Sequence, residues 1–400
     1  MLARLRQLPY KKWFTRVRSD RSIREAFFVF ILTRTLIFLV LIFVGEVSVF
    51  TYPDGGKDAN IPFERPQIAR RLRQIMGRGD AAHYAGLSDQ GYRRGPLDIT
   101  NHHSQQFAFF PLQPLLLRLL RYVTNDVIIW GAVLSNLFFF LALVLLHRLT
   151  LAFDYDEPVA RRTLFYLAAF PVSYFFSVPM TESVFLFLTV ASFYAAKRER
   201  WWAAGVFGLF ASATRITGVL LLPSLLLLSW QMYRSLHVRK ILGLLLIPFG
   251  LAAFSFYCWR MTGDALAFTH ASAAWGRKPS LFFLGPLITW LLNPHPIAHA
   301  WNIDLLHAAT AFLGFFCIYV LVRRREWALT LYTSLSIFVP LSSGPLQSLE
   351  RYTMGFFPVF IALAIAAKSE RSDQSIRFVF VFLLGVMTLL YAANFTNALS

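Results

Sequence analysis

Cysteine is nearly absent from this 400-residue sequence, and its two examples, Cys258 and Cys317, both lie in apolar runs. That excludes a disulfide framework and a cysteine-based zinc site. Charge is also scarce: 15% of residues are Asp, Glu, Lys or Arg, and only 21 are acidic. No separate polar domain stands apart to grip a duplex, so the net charge of +18 does not read as nucleic-acid binding. There is no fixed-period repeat and no low-complexity linker, which counts against a transporter built from two inverted halves. Hydrophobic residues are plentiful, at 56% of the chain, with 41 Phe, 15 Tyr and 10 Trp. A soluble domain of this length cannot hide so much apolar surface, so the solvent is largely lipid.

Apolar runs near the ~20 residues needed to cross a bilayer recur from residue 26 to 395. The pattern predicts an all-α polytopic membrane protein with about eleven transmembrane helices. Their approximate positions are 26–44, 127–147, 161–178, 181–196, 201–214, 217–233, 241–259, 303–322, 327–341, 352–368 and 378–395. Several are short for a ~30 Å hydrocarbon layer, which predicts tilted or broken helices around a polar cavity. The segment 281–292, followed by Asn293-Pro294-His295-Pro296, reads as a re-entrant or interfacial helix. Residues 1–25 form a basic segment and 26–400 a single transmembrane domain. The run 26–44 is long for a signal peptide, holds Arg34 and lacks a clear cleavage site, so it reads as an uncleaved first span.

Positive charge sets the orientation. Residues 1–25 carry eight Lys or Arg, and the alternate loops 148–162, 197–200, 234–240, 323–325 and 368–377 carry three each, in all 23 of the 39. The positive-inside rule puts these segments in the cytoplasm, and the long hydrophilic loop 50–106 outside.

That outer loop contains Gly79-Asp80-Ala81-Ala82-His83-Tyr84 and Asn101-His102-His103-Ser104. On a short helix Asp80, His83 and Tyr84 share one face, with the carboxylate directed at a cavity; the competing reading is that Asp80 caps the helix. Glu182 follows Pro179-Met180-Thr181 at a tight outer turn with no Lys or Arg nearby in sequence, so it needs a tertiary partner, a substrate or a proton; alternatively it is a first-turn Glu favoured by the helix dipole. Arg34, Arg215, Arg277 and Arg351 lie in or beside apolar spans, where an unpaired Arg costs roughly 2.5 to 3.5 kcal/mol on insertion scales. Arg34 reads as a residue that snorkels or stabilises helix packing. Arg215, Arg277 and Arg351 all map to the outer side, where planar guanidinium forks suit a phosphate. Asp80, His83, His102 and His103 lack a recognised metal-ligand spacing, so neither a metal nor a cofactor is expected. His295, His299 and His307 read as interfacial or core residues, and Asn394-Phe395-Thr396 is a formal glycosylation sequon beside the last span.

Taken in order, these residues resemble the membrane mannosyltransferases of the PIG-V type and their bacterial relatives. The likeness rests on Asp80 with Tyr84 and Gly91-Tyr92, on Phe109-Phe110-Pro111-Leu112, and on Phe170-Pro171 through Thr181-Glu182-Ser183. It continues through Trp201-Trp202-Ala203-Ala204-Gly205, Thr214-Arg215-Ile216-Thr217-Gly218, Trp275-Gly276-Arg277 and Arg351-Tyr352. The family adds the second mannose to glycosylphosphatidylinositol precursors. The resemblance implies a GT-C-like fold, a sugar taken from a polyprenyl-phosphate donor on the non-cytoplasmic side, and an essential acid in the first outer loop, matched by Asp80, with Glu182 at a second acidic position. It departs at Gly79, where the family usually has Trp, which leaves sugar stacking there without a residue.

The chemistry can also be argued directly. A polyprenyl-phosphate sugar leaves as a phosphate anion and therefore calls for cations at the phosphate, as Arg215, Arg277 and Arg351 supply. The acceptor hydroxyl needs a carboxylate to receive its proton, and Asp80 is the candidate. Glu182 would orient acceptor or sugar hydroxyls, with His83, Tyr84, His102 and His103 also contacting substrate. Direct displacement inverts the anomeric carbon. The expected partners are the donor and a lipid or glycolipid acceptor, in a bacterial inner membrane or alternatively the endoplasmic reticulum. The competing class is a transporter or flippase of an anionic lipid or glycolipid.

Overall fold

The computed structural model describes residues 20–47, 67–235, 238–277, 282, 284–292, 303–344 and 346–393. Most of the basic segment, residues 48–66 of the outer loop, His295, His299 and the Asn394-Phe395-Thr396 sequon lie outside the described residues. Regular structure among the described residues is entirely helical. We number the main helices α1 (Arg21–Val47), α2 (Gln67–Met76), α3 (Asp80–Gln90), α4 (Leu112–Leu120), α5 (Val127–Ala152), α6 (Glu157–Ala168), α7 (Glu182–Lys197) and α8 (Trp201–Ser212). There follow α9 (Leu221–Tyr233), α10 (Val238–Leu244), α11 (Ile247–Thr262), α12 (Ile303–Arg323), α13 (Trp327–Leu341), α14 (Leu349–Met354), α15 (Pro358–Ala366) and α16 (Glu370–Ala392).

Among the described residues six helices are long and apolar enough to cross a membrane: Arg21–Glu46, Val127–Ala152, Ile216–Tyr233, Lys240–Thr262, Leu305–Arg323 and Glu370–Ala392. Each coincides with an expected span. The other five are shorter or broken, so a count of eleven full-length spans is not reproduced. The expected span 161–178 is α6 followed by the tight turn Ser173–Ser177, and 352–368 is split into α14 and α15. The reason is burial. Helix α7 has nearly every residue buried and packs against α5 and α8, while α15 is buried throughout between α6 and α12. Where protein surrounds a helix, its backbone needs no full apolar length to satisfy the bilayer. The predicted short segment 281–292 holds a helix at Gly285–Leu292, whose Leu287 packs with Ala308 and Ala311 of α12.

Side-chain contacts tie the helix ends into two groups. At one end Arg148 reaches Asp20 at 2.7 Å, Arg21 reaches Glu157 at 2.8 Å, Tyr155 donates to Glu326 at 2.9 Å, and Arg162 caps the carbonyl of Ala367. These are the segments assigned to the cytoplasm by charge. At the opposite end α2 acts as a clasp. Arg71 donates to the Gly45 carbonyl near the end of α1, and Arg78, just beyond α2, donates to that of Ala392 at 2.9 Å, closing α16. Arg73 meets Asp126, the N-cap of α5, at 2.6 Å. Cations at helix C-termini offset the negative ends of the helix dipoles.

Two local features explain sequence motifs. Helix α8 approaches α10 and α11 through small residues: a Cβ on Gly205 would lie 1.8 Å from the Gly243 carbonyl oxygen, and one on Gly250 would lie 2.1 Å from that of Leu209. Backbones meet this closely in lipid only where side chains are missing. Arg34 is 3% exposed, so of the two readings, snorkelling and helix packing, the structure favours packing. It donates to the carbonyls of Ala168 (3.0 Å) and Ser173 (2.9 Å) and to the hydroxyls of Ser173 (2.6 Å) and Ser177 (3.1 Å). Those acceptors are the groups left over where α6 stops and the chain turns.

Candidate active site

Helix α3 begins at Asp80, and the residue before it, Gly79, has φ 58° and ψ −135°. A residue with a side chain is strained there, and glycine is not. Gly79 occupies the N-cap position and the helix start has no side-chain cap. The capping reading of Asp80 is therefore overturned: its carboxylate leaves the helix end and meets Arg351 Nη2 at 2.5 Å.

From Arg351 the contacts continue inward. Its Nε donates to Glu182 Oε1 at 2.6 Å, and Arg215 donates to the same oxygen while its Nε reaches Thr181 Oγ1 at 2.8 Å. Arg215 is presented by a break in the helix. Helix α8 stops at Ser212, Arg215 is extended, and a tight turn runs Ile216–Leu220. The turn folds back so closely that a Cβ on Gly218 would sit 2.4 Å from the Ala211 carbonyl, which explains the glycine of Thr214-Arg215-Ile216-Thr217-Gly218. Arg277 comes from another direction. It donates to Ser343 Oγ (2.9 Å) and the Gln347 carbonyl (3.2 Å), and its guanidinium lies 5.0 Å from the Tyr352 ring, with that of Arg215 5.6 Å away from the same ring.

These groups surround one cavity of about 350 Å³. Asp80, Tyr84, Arg215, Arg277, Arg351 and Tyr352 line it, with hydroxyls of Thr217, Thr269, Ser272 and Ser343 and an aromatic wall of Phe109, Phe110, Phe268 and Trp275. The mixture suits a ligand with an anionic group, several hydroxyls and an apolar part. Phe109 is central to the wall, with Tyr84 edge-on at 5.2 Å and Trp275 at 5.6 Å between ring centroids. Tyr92 holds this segment by donating to the Phe109 carbonyl at 2.6 Å.

The remaining expectations divide. His83 does not line the cavity but stacks behind Phe109 at 4.5 Å. Its pKa is lowered, mainly by burial and against the pull of Asp80, so the neutral imidazole is favoured. Burial, with Asp80 second, raises Tyr84 above the usual phenol range and keeps it a neutral hydrogen-bond donor. Besides His83, two further placements are corrected. Glu182, expected at the substrate hydroxyls, has a fully buried side chain beneath the two arginines and is not part of the wall, because both guanidinium groups lie on its carboxylate. His102 and His103 are not brought to the cavity, because Asn101 caps their short turn by accepting from the His103 backbone and the His103 ring meets Arg93 at 2.8 Å on the outer surface.

Sequence reasoning missed a further pair. His307, read as interfacial or core, is core, and its Nδ1 meets Glu350 Oε2 with both side chains almost completely buried. Glu350 precedes Arg351, and its adjacency to a candidate site arginine was the available signal. The hydroxyls of Thr269 and Ser272 gave none, since isolated Ser and Thr in an apolar chain are commonplace.

Residues 24–249 match the mannosyltransferase (PIG-V) family. The chain belongs to that family. Asp80, His83, Tyr84, Glu182 and Arg215 fall inside the PIG-V match, and Arg277 and Arg351 beyond it. GPI alpha-1,6-mannosyltransferase 2 of Rattus norvegicus is 28% identical over 163 residues, covering 38% of this chain and 31% of that protein. The Mus musculus protein of the same name is 28% identical over 170 residues, covering 40% and 33%. This PIG-V family chain thus spans about a third of the length of the curated relatives it matches. Among solved structures, the Archaeoglobus fulgidus oligosaccharyltransferase in its apo form aligns with a TM-score of 0.42 at 12% identity, over 88% of this chain and 56% of that one. The form tethered to an acceptor peptide aligns at 0.41 and 14%, over 91% and 55%. Family membership and the helices together make the protein a multi-pass integral membrane protein.

Proposed function

We propose that the protein is a membrane glycosyltransferase of GT-C type. In this reading it moves a sugar, mannose in keeping with its family, from a polyprenyl-phosphate donor to a lipid-linked or glycolipid acceptor on the non-cytoplasmic face. The single transmembrane domain, residues 26–400, carries the reaction in a bacterial inner membrane, with the endoplasmic reticulum as the alternative. The observation that carries the reading is convergence: Asp80 from the outer loop and three arginines from distant segments line one cavity with an aromatic wall.

The acceptor hydroxyl attacks the anomeric carbon from the face opposite the phosphate. Its proton passes to the Asp80 carboxylate, the bond from C1 to the phosphate oxygen breaks, and polyprenyl phosphate leaves with the bonding electrons. One displacement inverts the anomeric carbon. Guanidinium charge in the cavity wall stabilises the charge that accumulates on the departing phosphate, in a setting of low dielectric where such contacts are strong. The aromatic wall, Trp275 included, receives the apolar face of the sugar, a role the glycine at position 79 does not fill.

The test is transfer of radiolabelled mannose from a short-chain polyprenyl-phosphate-mannose to a membrane lipid extract, by wild type and by folded Asp80→Asn. Loss of general-base assistance lowers the rate by about 10²- to 10⁴-fold. Transfer by wild type together with that loss supports the reading. Absence of transfer by folded wild type across several polyprenyl-phosphate sugars and mixed acceptor lipids overturns it in favour of a lipid transporter.

A further inference from the structure

The arginines of the cavity are not equivalent. Glu182 Oε1 accepts from both Arg215 and Arg351, and Arg351 is also paired with Asp80. Two carboxylates therefore compensate two guanidinium groups within one continuous chain of contacts. Arg277 stands outside this balance: it lines the cavity, yet its hydrogen-bond partners are the neutral Ser343 hydroxyl and Gln347 carbonyl, and no carboxylate pairs with it among the described residues. Its ring neighbour Tyr352, shared with Arg215, links it to the balanced set without neutralising it.

An incoming phosphate monoanion or dianion gains most at a cation whose charge is not already spent. Displacing a buried carboxylate from its guanidinium leaves that carboxylate uncompensated, at high cost. Arg277 can accept the phosphate with no such displacement, keeping its two neutral contacts as supports. Glu182 cannot touch substrate, being fully buried beneath Arg215 and Arg351. Removing its charge would leave Arg351 with Asp80 as its one carboxylate partner and release Arg215 from its anchor.

We propose a division of labour that rests on the transferase reading: Arg277 is the guanidinium that takes the donor phosphate, and Glu182 is a positioning residue that anchors Arg215 and Arg351 so that Asp80 faces the acceptor. Glu182 thus acts on the catalytic step through Arg351, and Arg277 acts on donor affinity.

The experiment uses the full-length protein in detergent, with a short-chain polyprenyl monophosphate as the binding probe and mannose transfer as the kinetic readout. Arg277→Gln weakens probe binding and raises donor KM by about 10-fold or more, the size of a lost charge-assisted hydrogen-bond pair. Glu182→Gln keeps both within about 3-fold while kcat falls by at least about 10-fold, and Glu182→Asp, which restores the charge, recovers part of that kcat. Glu182→Asp also serves as the informative variant if Glu182→Gln does not fold. Equal probe binding by Arg277→Gln and wild type overturns the assignment of Arg277, as does wild type that does not bind the probe. An equal rise of donor KM in both Glu182 variants and in Arg277→Gln overturns the positioning role. Probe binding that depends on Arg277 in a protein that transfers no sugar upholds the phosphate assignment and rejects the transferase reading, so the two failures are distinct.

Discussion

Gly79 and Asp80 are adjacent and do opposite things: one absorbs the backbone strain that lets the other project away from its own helix. A side chain at φ 58° and ψ −135° costs about 1 to 3 kcal/mol, so Gly79→Ala lowers thermal stability and loses transfer through displacement of Asp80. A variant with unchanged melting temperature would contradict this account of the glycine. His83 supplies a pH dependence. Its folded-state pKa is lowered, so below its ordinary value of 6.5 the unfolded chain takes up a proton that the folded chain resists, and stability falls as pH drops through that value. Thermal melts of wild type between about pH 8 and 5 should fall towards acid more steeply than those of His83→Gln, whose amide does not titrate. Parallel curves would remove His83 from that slope. At this scale the arginines were legible because a charge beside an apolar span announces itself, whereas Asp80, one of many charges in a hydrophilic loop, was singled out by its spacing with His83 and Tyr84 and by the family resemblance. The displaced residues' placement was not legible: Glu182 looks the same in sequence whether its partner is a sugar hydroxyl or an arginine, and only tertiary packing, with Arg351 169 positions away, decides it.

Helices α8 and α11 show how an element can be fixed by what it omits. Gly205 and Gly250 allow backbone contact, Gly208 makes room for the Ile247 side chain, and Ser212 adds a 2.5 Å hydrogen bond from its hydroxyl to the Ile247 carbonyl. The same helix must end at Ser212 so that Arg215 can be extended toward Glu182. Gly218→Ala forces its Cβ against the Ala211 carbonyl, so the turn opens and Arg215 moves. We expect that variant to stay inserted and folded yet lose at least about 10-fold in kcat, because the guanidinium leaves its anchor by more than hydrogen-bond reach. Wild-type kcat in Gly218→Ala would show that the turn tolerates the clash without moving the site. Full-length spans were readable from apolar runs, and all six coincide with expected positions. Three short ones were readable too, at Glu182–Lys197, Trp201–Ser212 and Trp327–Leu341, but the breaks inside 161–178 and 352–368 were not, because a helix walled by protein needs neither the length nor the polarity pattern of one facing lipid. Helix α15 is apolar on every side and carries no periodicity from which its ends could be read.

For the whole molecule, side is a matter of charge and of what consumes it. The outer end carries arginines too, but Arg71, Arg73 and Arg78 are engaged with helix termini and Asp126, so they act as fasteners for α1, α5 and α16. Arg324 and Arg325 lie exposed at the opposite end, beyond α12, where anionic headgroups can meet them. The two groups of contacts put the start of α1 with the loops after α5 and α12, and the end of α1 with α2 and the end of α16. The orientation we propose follows from the positive-inside bias: α1 enters from the cytoplasm, and Asp80 faces the other compartment. Both native cysteines are buried, so the orientation can be read by single-cysteine labelling in the intact membrane. Arg94→Cys, at an exposed position after α3, reacts with a membrane-impermeant maleimide applied from the non-cytoplasmic side. Arg324→Cys reacts only after permeabilisation. The reverse pattern would put Asp80 and the arginine cavity in the cytoplasm. The proposed donor would then have to present its sugar on that side, and the positive charge of this protein would have to be explained by something other than topology.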